Sequence, residues 1–287
     1  MKRLFAGIKR KEHYSPNHRK NDALILQKTA EELKKYGIES VIYTEDELLN
    51  SSIEADLIFS MARGAEALAK LSDLEREGVP VINSTESSFN CHRVNMIEKL
   101  TNAGINIPTS LIVKTDSKIK YKLSAVGKEK IWIKRGDVHA IHREDVALVY
   151  SDEQLNFLLG EFKLRGISEA ALQQNIEGDV VKFYSVKDSD FFYWYYLDGK
   201  NKYSFNVDKL KFMANKSAEV LELLVYGGDA IIENNGNITI IDINDWPSFA
   251  PIRNEASKSI AKALFLKVEK QDSDKDMLSY TGELLSI

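Results

Sequence analysis

The pattern of apolar residues changes near Ser88, and that change limits the folds open to this chain. Before it, short apolar runs alternate with helical stretches. "RLFAGIKR" reads as a strand, and "NDALILQKTAEELKKYG" reads as a helix, with Leu24, Leu26, Ala30 and Leu33 near helical spacing and Gly37 as its stop. "IESVIYTEDELL" reads as a second strand, "ADLIFSMA" as a third, "GAEALAKLSDLEREG" as a helix and "VPVINS" as a further strand. Strands joined through helices run parallel, so residues 1–88 are expected to form an α/β domain with a parallel sheet covered on both sides. After Ser88 comes the helix "NCHRVNMIEKLTNAG", closed by Gly104, and then a strand-rich α+β region. Its strands are expected in "INIPTSLIV", "KIWIKRGDVHAIHREDVALVY", "EAALQQNIEGDVVKFYSV" and "DFFYWYYLDGK". A helix is expected over "SAEVLELLVYGG" and another over "EASKSIAKALFLKV", with a partly mobile tail from "EKQDSDKD" onward.

Within the second region, "DAIIENNGNITIIDIN" carries a strong hairpin signal at "ENNGN". Alternate residues of a strand share a face, so Asp242 and Asn244 lie side by side. An antiparallel return brings Asp229 to the same open end. Two carboxylates and an amide oxygen at one point suit a hard divalent cation such as Mg²⁺, which takes one or two carboxylates and leaves its other positions to water and phosphate. The alternative is that Asp242 and Asn244 only cap the turn before "WPSF".

"GGDAIIENNGNITIIDINDWPSF" resembles the metal-binding end of the ATP-grasp fold: G-x-D, a hairpin, then (E/D)-x-N-x-x-P, here with Asp242 in place of the commoner Glu. Upstream, "GVPVINSTESSFNCHRVNMIEKLTNAGINIPTS" is similar to the entry segment of that module in ribosomal-protein glutamate ligases and glutathione synthetase-like enzymes. The resemblance covers roughly Val79 to Leu264. It implies an ATP-grasp fold with a Rossmann-like N-terminal domain (1–88), a central subdomain (89–172) and a C-terminal subdomain with the metal site (173–287). It also implies ATP and Mg²⁺ as cofactors, with Mg²⁺ on Asp229, Asp242 and Asn244. Arg93, where the family has a lysine, and Lys134 in "IWIKR" would meet ATP phosphates, and "LQQNI" would be the adenine hinge. The nucleotide set is then Arg93, Lys134, His139, Gln173, Gln174, Asn175, Ile176 and Glu177. Lys182 and Arg253 would act at the transfer step and on the acceptor. Taken singly, a lysine such as Lys134 is more often a solvated strand-end charge, and an arginine such as Arg93 more often a helix-surface residue. The stretch "KRGDVHAIHREDVALV" has one glycine where most members have a glycine-rich loop. In this it is similar to ATP-grasp inositol polyphosphate kinases; His139 and His142 would then contact phosphate, exposed loop residues being the alternative.

Composition narrows the choice. A net charge of −4 argues against a general nucleic-acid-binding surface. The single cysteine, Cys91, permits no intramolecular disulfide. The opening "MKRLFAGIKRKEHYSP" has too short an apolar core for a signal peptide, and no run reaches membrane-spanning length, so a cytoplasmic protein with no membrane partner is expected. "KRKEHYSPNHRK", with Lys9, Arg10, Lys11, His13, His18, Arg19 and Lys20, follows the first strand and would suit an anionic acceptor, small molecule or peptide; a solvated basic loop is the alternative. The oligomeric state is left open, a homodimer included. The resemblance implies first a carboxylate–amine ligase working through an acyl-phosphate. A small-molecule kinase of the inositol polyphosphate type and a nucleotide-binding module without turnover are the alternatives.

Overall fold

The computed structural model describes residues 3–15, 19–127, 129–138, 141–198 and 200–284, with backbone alone at 19, 198, 271–272 and 274–284. Two compact units emerge: 1–85 with 185–191 and 246–287, and 86–184 with 192–245.

The first unit is built on a parallel sheet of β1 (Leu4–Lys9), β2 (Glu39–Thr44), β3 (Leu57–Ser60) and β4 (Val81–Ile82) in the order β2-β1-β3-β4. The expected alternation is there: α1 (Arg19–Leu33) follows β1, and α3 (Ala65–Arg76) follows β3. Ala6, Ile8, Ile58 and Val81 pack with Leu48, Leu71 and Leu74 in one buried cluster. The second strand is shorter than its sequence run suggests. β2 stops at Thr44, and "EDELLN" is α2 (Glu45–Asn50), opened by a capping box in which Thr44 and Glu47 satisfy each other's backbone N–H groups. The final helix, α8 (Arg253–Leu284), continues through the stretch expected to be mobile. It packs on α1, with Tyr36 stacked on Phe265 at 4.9 Å.

The second unit holds two four-stranded sheets. One has the order β5-β8-β6-β7, from β5 (Ser110–Lys114), β6 (Ile131–Arg135), β7 (Val146–Val149) and β8 (Glu169–Gln174). The other has the order β10-β9-β11-β12, from β9 (Asp179–Val186), β10 (Phe192–Asp198), β11 (Val225–Ile232) and β12 (Ile238–Asp245). Short helix α4 (Thr85–Asn90) leads into α5 (Arg93–Asn102), which lies against β8. α6 (Asp152–Leu164), absent from the sequence reading, is capped by Ser151 and buries Leu155, Leu159 and Phe162 on the first sheet. α7 (Val207–Val220) packs on β11 and β12. It starts ten residues before the helix expected at Ser217. Asn206 caps it, and it ends without a glycine because Glu222 takes the left-handed conformation, φ 62°. The run Leu221–Val225, read as helix, instead leads into β11.

β12 lies at the end of its sheet, and its outward backbone is tied down. Ile240 N–H donates to the Asn106 carbonyl, and Asn106 Nδ2 donates to the Ile238 carbonyl. Ile243 N–H donates to Met96 Sδ at 3.3 Å. Gly228 is needed where β11 and β12 approach: a Cβ there would lie 2.4 Å from the Asp242 carbonyl oxygen.

Candidate functional site

Asp229 and Asp242 are directly opposite each other in the β11–β12 ladder, and Asn244 is opposite Gly227. A bulge follows Asp229, so the ladder resumes with Ala230 opposite Ile240. The hairpin therefore gathers the three residues, although β11 begins four residues before Asp229 rather than at it. Asn244 Nδ2 donates to Asp242 Oδ2 at 3.2 Å, which leaves the amide oxygen as the end available to a cation.

Three basic side chains surround this pair. Arg93 opens α5, where its side chain is only 6% exposed, and its Nη1 lies 3.1 Å from Asp242 Oδ1. It is thus a buried partner rather than a helix-surface charge. Lys182, on β9, reaches both oxygens of Asp229, at 2.7 and 3.0 Å. Burial opposes the charge on Lys182, yet Asp229 beside it keeps the ammonium above its ordinary value. Burial, with Asp242 adding to it, pushes the Asp229 carboxyl up against the pull of Lys182. Lys134 ends on the buried face of β6 and is not a solvated strand-end charge. Burial first, then repulsion from Arg93, bring its ammonium down to about 7, against the attraction of Asp242 and Asp229. Three basic side chains therefore stand around two carboxylates, with Lys134 holding no ion pair among the described residues. Such a cluster favours an arriving polyanion.

The hinge segment follows β8. Gln173 is buried; its Nε2 donates to Ser110 Oγ at 2.8 Å, while its Oε1 has no hydrogen-bond partner. Gln174 N–H donates to the Thr109 carbonyl. Asn175 accepts from Trp132 Nε1 at 3.0 Å and donates to Glu177, which pairs with Lys130 at 2.6 Å. Gln174, Asn175, Ile176 and Glu177 line an open cleft of ≈ 580 Å³ with Asp179 and Asn201.

His139 lies outside the described residues. His142 is exposed, and its backbone N–H donates to Asp145. Asp145 has no exposed side-chain surface. It accepts from Ile141 and His142 N–H and pairs with Arg135 and Arg165, so the turn from Ile141 to Asp145 is anchored to the end of β6. These bonds outweigh burial and hold its carboxyl down at about 2.

Arg253 belongs to the other unit. It opens α8, and its Nη2 lies 2.7 Å from Asn21 Oδ1. In the loop after β1, Arg10 is buried. It pairs with Asp22 at 3.0 Å and donates to the carbonyls of Met61 and Trp246. Lys11 pairs with Asp46 at 2.7 Å. His18 lies outside the described residues, as does the side chain of Arg19. Arg10 thus supports the fold rather than offering a free charge. It steadies a turn in which Trp246 and Phe249 sit at φ 44° and 49°, a conformation that is costly without glycine.

The sequence reading passed over Tyr184 and Tyr195. Their rings lie 6.3 Å apart beside Lys182, on the sheet face opposite the stacked Phe183 and Phe192. The aromatic run "FFYWYY", which as a strand must place aromatics on both faces of the sheet, was the available signal.

No family model matches the sequence, and no curated protein matches it. Solved structures do. A D-alanine–D-alanine ligase from Bacillus anthracis, complexed with ATP, superposes with a TM-score of 0.69 at 14% identity, covering 94% of this chain and 99% of that one. The ATP-grasp ligase PsnB, complexed with precursor peptide PsnA2 and AMPPNP, gives 0.64 at 15% identity, covering 93% and 97%. A RimK domain ATP-grasp protein from Sphaerobacter thermophilus gives 0.65 at 17%, covering 90% and 98%. With its N-terminal parallel sheet and two following four-stranded sheets, this chain has the ATP-grasp fold.

Proposed function

We propose that the protein is an ATP- and Mg²⁺-dependent ligase that joins a carboxylate to an amine. The observation that carries this reading is the pairing of Asp229 and Asp242 across one hairpin with Arg93, Lys134 and Lys182 around them, in a chain of ATP-grasp fold. The nucleotide reading is supported by a D-alanine–D-alanine ligase of the same fold complexed with ATP, and a peptide acceptor by PsnB complexed with its precursor peptide.

The residues fit a magnesium ion. Two carboxylates and an amide oxygen are hard donors, and among the described residues no cluster of three His, Cys, Asp or Glu offers a fuller cage. Asp229, Asp242 and Asn244 would hold the ion, whose chemistry there is to neutralise phosphate oxygens. Lys134 and Arg93 orient the phosphate tail, and the segment from Gln173 to Glu177 receives the base. The γ-phosphoryl group passes to a carboxylate oxygen of the acceptor, and ADP leaves. The amine then attacks the acyl carbon; the C–N bond forms, the bond to phosphate oxygen breaks, and the amine gives up a proton. Lys182 balances charge on the moving phosphoryl group. No protein nucleophile is required, because positioning and charge stabilisation carry the reaction.

Arg10 and Lys11, in the loop after β1, already have carboxylate partners and lend the kinase reading no support. ADP and phosphate release, measured against amino acids, short peptides and inositol phosphates with product masses, tests the proposal. Condensation products are expected. Gain of a single phosphoryl group by the acceptor would replace the ligase with a kinase.

A further inference from the structure

All four carboxylate oxygens of the proposed metal site already receive a donor from the protein. Both oxygens of Asp229 are taken by one ammonium, that of Lys182, at 2.7 and 3.0 Å. Asp242 Oδ1 receives Arg93 at 3.1 Å, and Oδ2 receives Asn244 at 3.2 Å. The two cations differ in what they can do next. Arg93 is nearly buried and reaches Asp242 through Nη1, while its Nε has no hydrogen-bond partner, so it can keep that contact while other N–H groups turn to a phosphate. Lys182 is a point charge on a flexible stem, with 24% of its side chain exposed, and it engages both oxygens that a divalent ion would need.

We infer that Lys182 is a resident counter-cation of the metal site, which holds Asp229 until nucleotide arrives and must leave it for Mg²⁺ to bind. The inference rests on the metal assignment made above for Asp229, Asp242 and Asn244. An ammonium seated between both carboxylate oxygens repels a divalent ion at the same oxygens. Mg²⁺ alone is therefore a poor competitor. A polyphosphate offers Lys182 a second anion, draws it off Asp229 and frees the oxygens. Metal and nucleotide then bind with positive coupling, and by reciprocity each strengthens the other by the same factor. The lysine freed in this way is left beside the phosphoryl group on which it acts.

The test is calorimetric titration of Mg²⁺ into the full-length protein, alone and with saturating AMPPNP, for wild type, Lys182→Met and Lys182→Gln. Glutamine keeps a donor for Asp229 without the charge, so it carries the test alone if the methionine variant does not fold. Both variants are expected to bind Mg²⁺ alone at least about tenfold more tightly than wild type. The gain in Mg²⁺ affinity produced by AMPPNP is expected to shrink by a similar factor. If Lys182→Gln binds Mg²⁺ alone no better than wild type, the exchange is overturned, while binding of MgAMPPNP to wild type would leave the proposed function standing. Wild-type protein that binds neither Mg²⁺ nor MgAMPPNP would remove both.

Discussion

Each unit buries an arginine against an aspartate, and the surroundings of the two pairs give them different uses. Arg10 meets Asp22, and other N–H groups of its fork go to the carbonyls of Met61 and Trp246. Its charge is balanced and its donors are engaged. Arg93 meets Asp242, but Lys134 and Lys182 stand near the same two carboxylates, and one guanidinium nitrogen, Nε, is buried without a partner. A closed pair stabilises a fold; an open cluster with surplus positive charge waits for an anion. What separates the two is partner count rather than residue type, since the loop "KRKEHYSPNHRK" looks the more basic of the two in sequence.

That contrast can be broken at several points. The largest change in free energy is expected from Arg10→Ala, which leaves Asp22 buried and unpaired and should cost about 3–5 kcal/mol of stability. Nucleotide affinity per folded molecule should be kept, and denaturant melts beside calorimetry would check both. Loss of acceptor or nucleotide binding at unchanged stability would return Arg10 to a ligand site.

Asp242→Asn should behave in the opposite way. It keeps size and shape but removes a charge from the metal and arginine contacts, so turnover should fall by about two orders of magnitude or more. The melting temperature should fall by less than for Arg10→Ala, because the amide oxygen still accepts from the buried Arg93. An unstable variant that stays active per folded molecule would make Asp242 a cap and end its assignment to the metal.

Lys134 gives the pH test. Its folded value of about 7 lies below the ordinary lysine value of 10.5, so between these the unfolded chain binds more protons than the folded one. Stability from this group therefore rises with pH across that window, and is lowest below about 7, where a buried charge must be carried. Lys134→Met should raise stability at neutral pH and flatten the rise when the two stability–pH curves are subtracted. It should also weaken ATP binding. In wild type, ATP binding near pH 8 should take up protons, as shown by a dependence of the calorimetric enthalpy on buffer ionisation heat. An enthalpy independent of buffer would mean that Lys134 does not meet the phosphates.

The smallest change is expected from Lys11→Ala. Its pair with Asp46 is exposed, and such pairs contribute little. Melting temperature and nucleotide affinity should both stay within measurement error. A clear loss of acceptor use by this variant alone would restore the loop as an acceptor site.

Much of this was legible in sequence because it depends on local periodicity. Strand–helix alternation up to Ser88 specified the parallel sheet, and "ENNGN" specified the hairpin that sets Asp229 across from Asp242. Spacing by two put Asn244 on the face of Asp242, since strand geometry leaves no other choice. The Thr44–Glu47 capping box is equally readable, although the apolar run around it also fits a strand. Tertiary structure decided the rest. No local rule brings α8 back onto α1, or ends α7 at a glutamate in the left-handed region. Nor does any pattern tell that Arg10 is closed and Arg93 open. A side chain's charge is written in the sequence, but whether that charge is already balanced depends on partners far along the chain: 12 residues away for Asp22, 149 for Asp242 and 236 for the Trp246 carbonyl. Long-range folding alone sets those distances, and with them which cations remain available to a ligand.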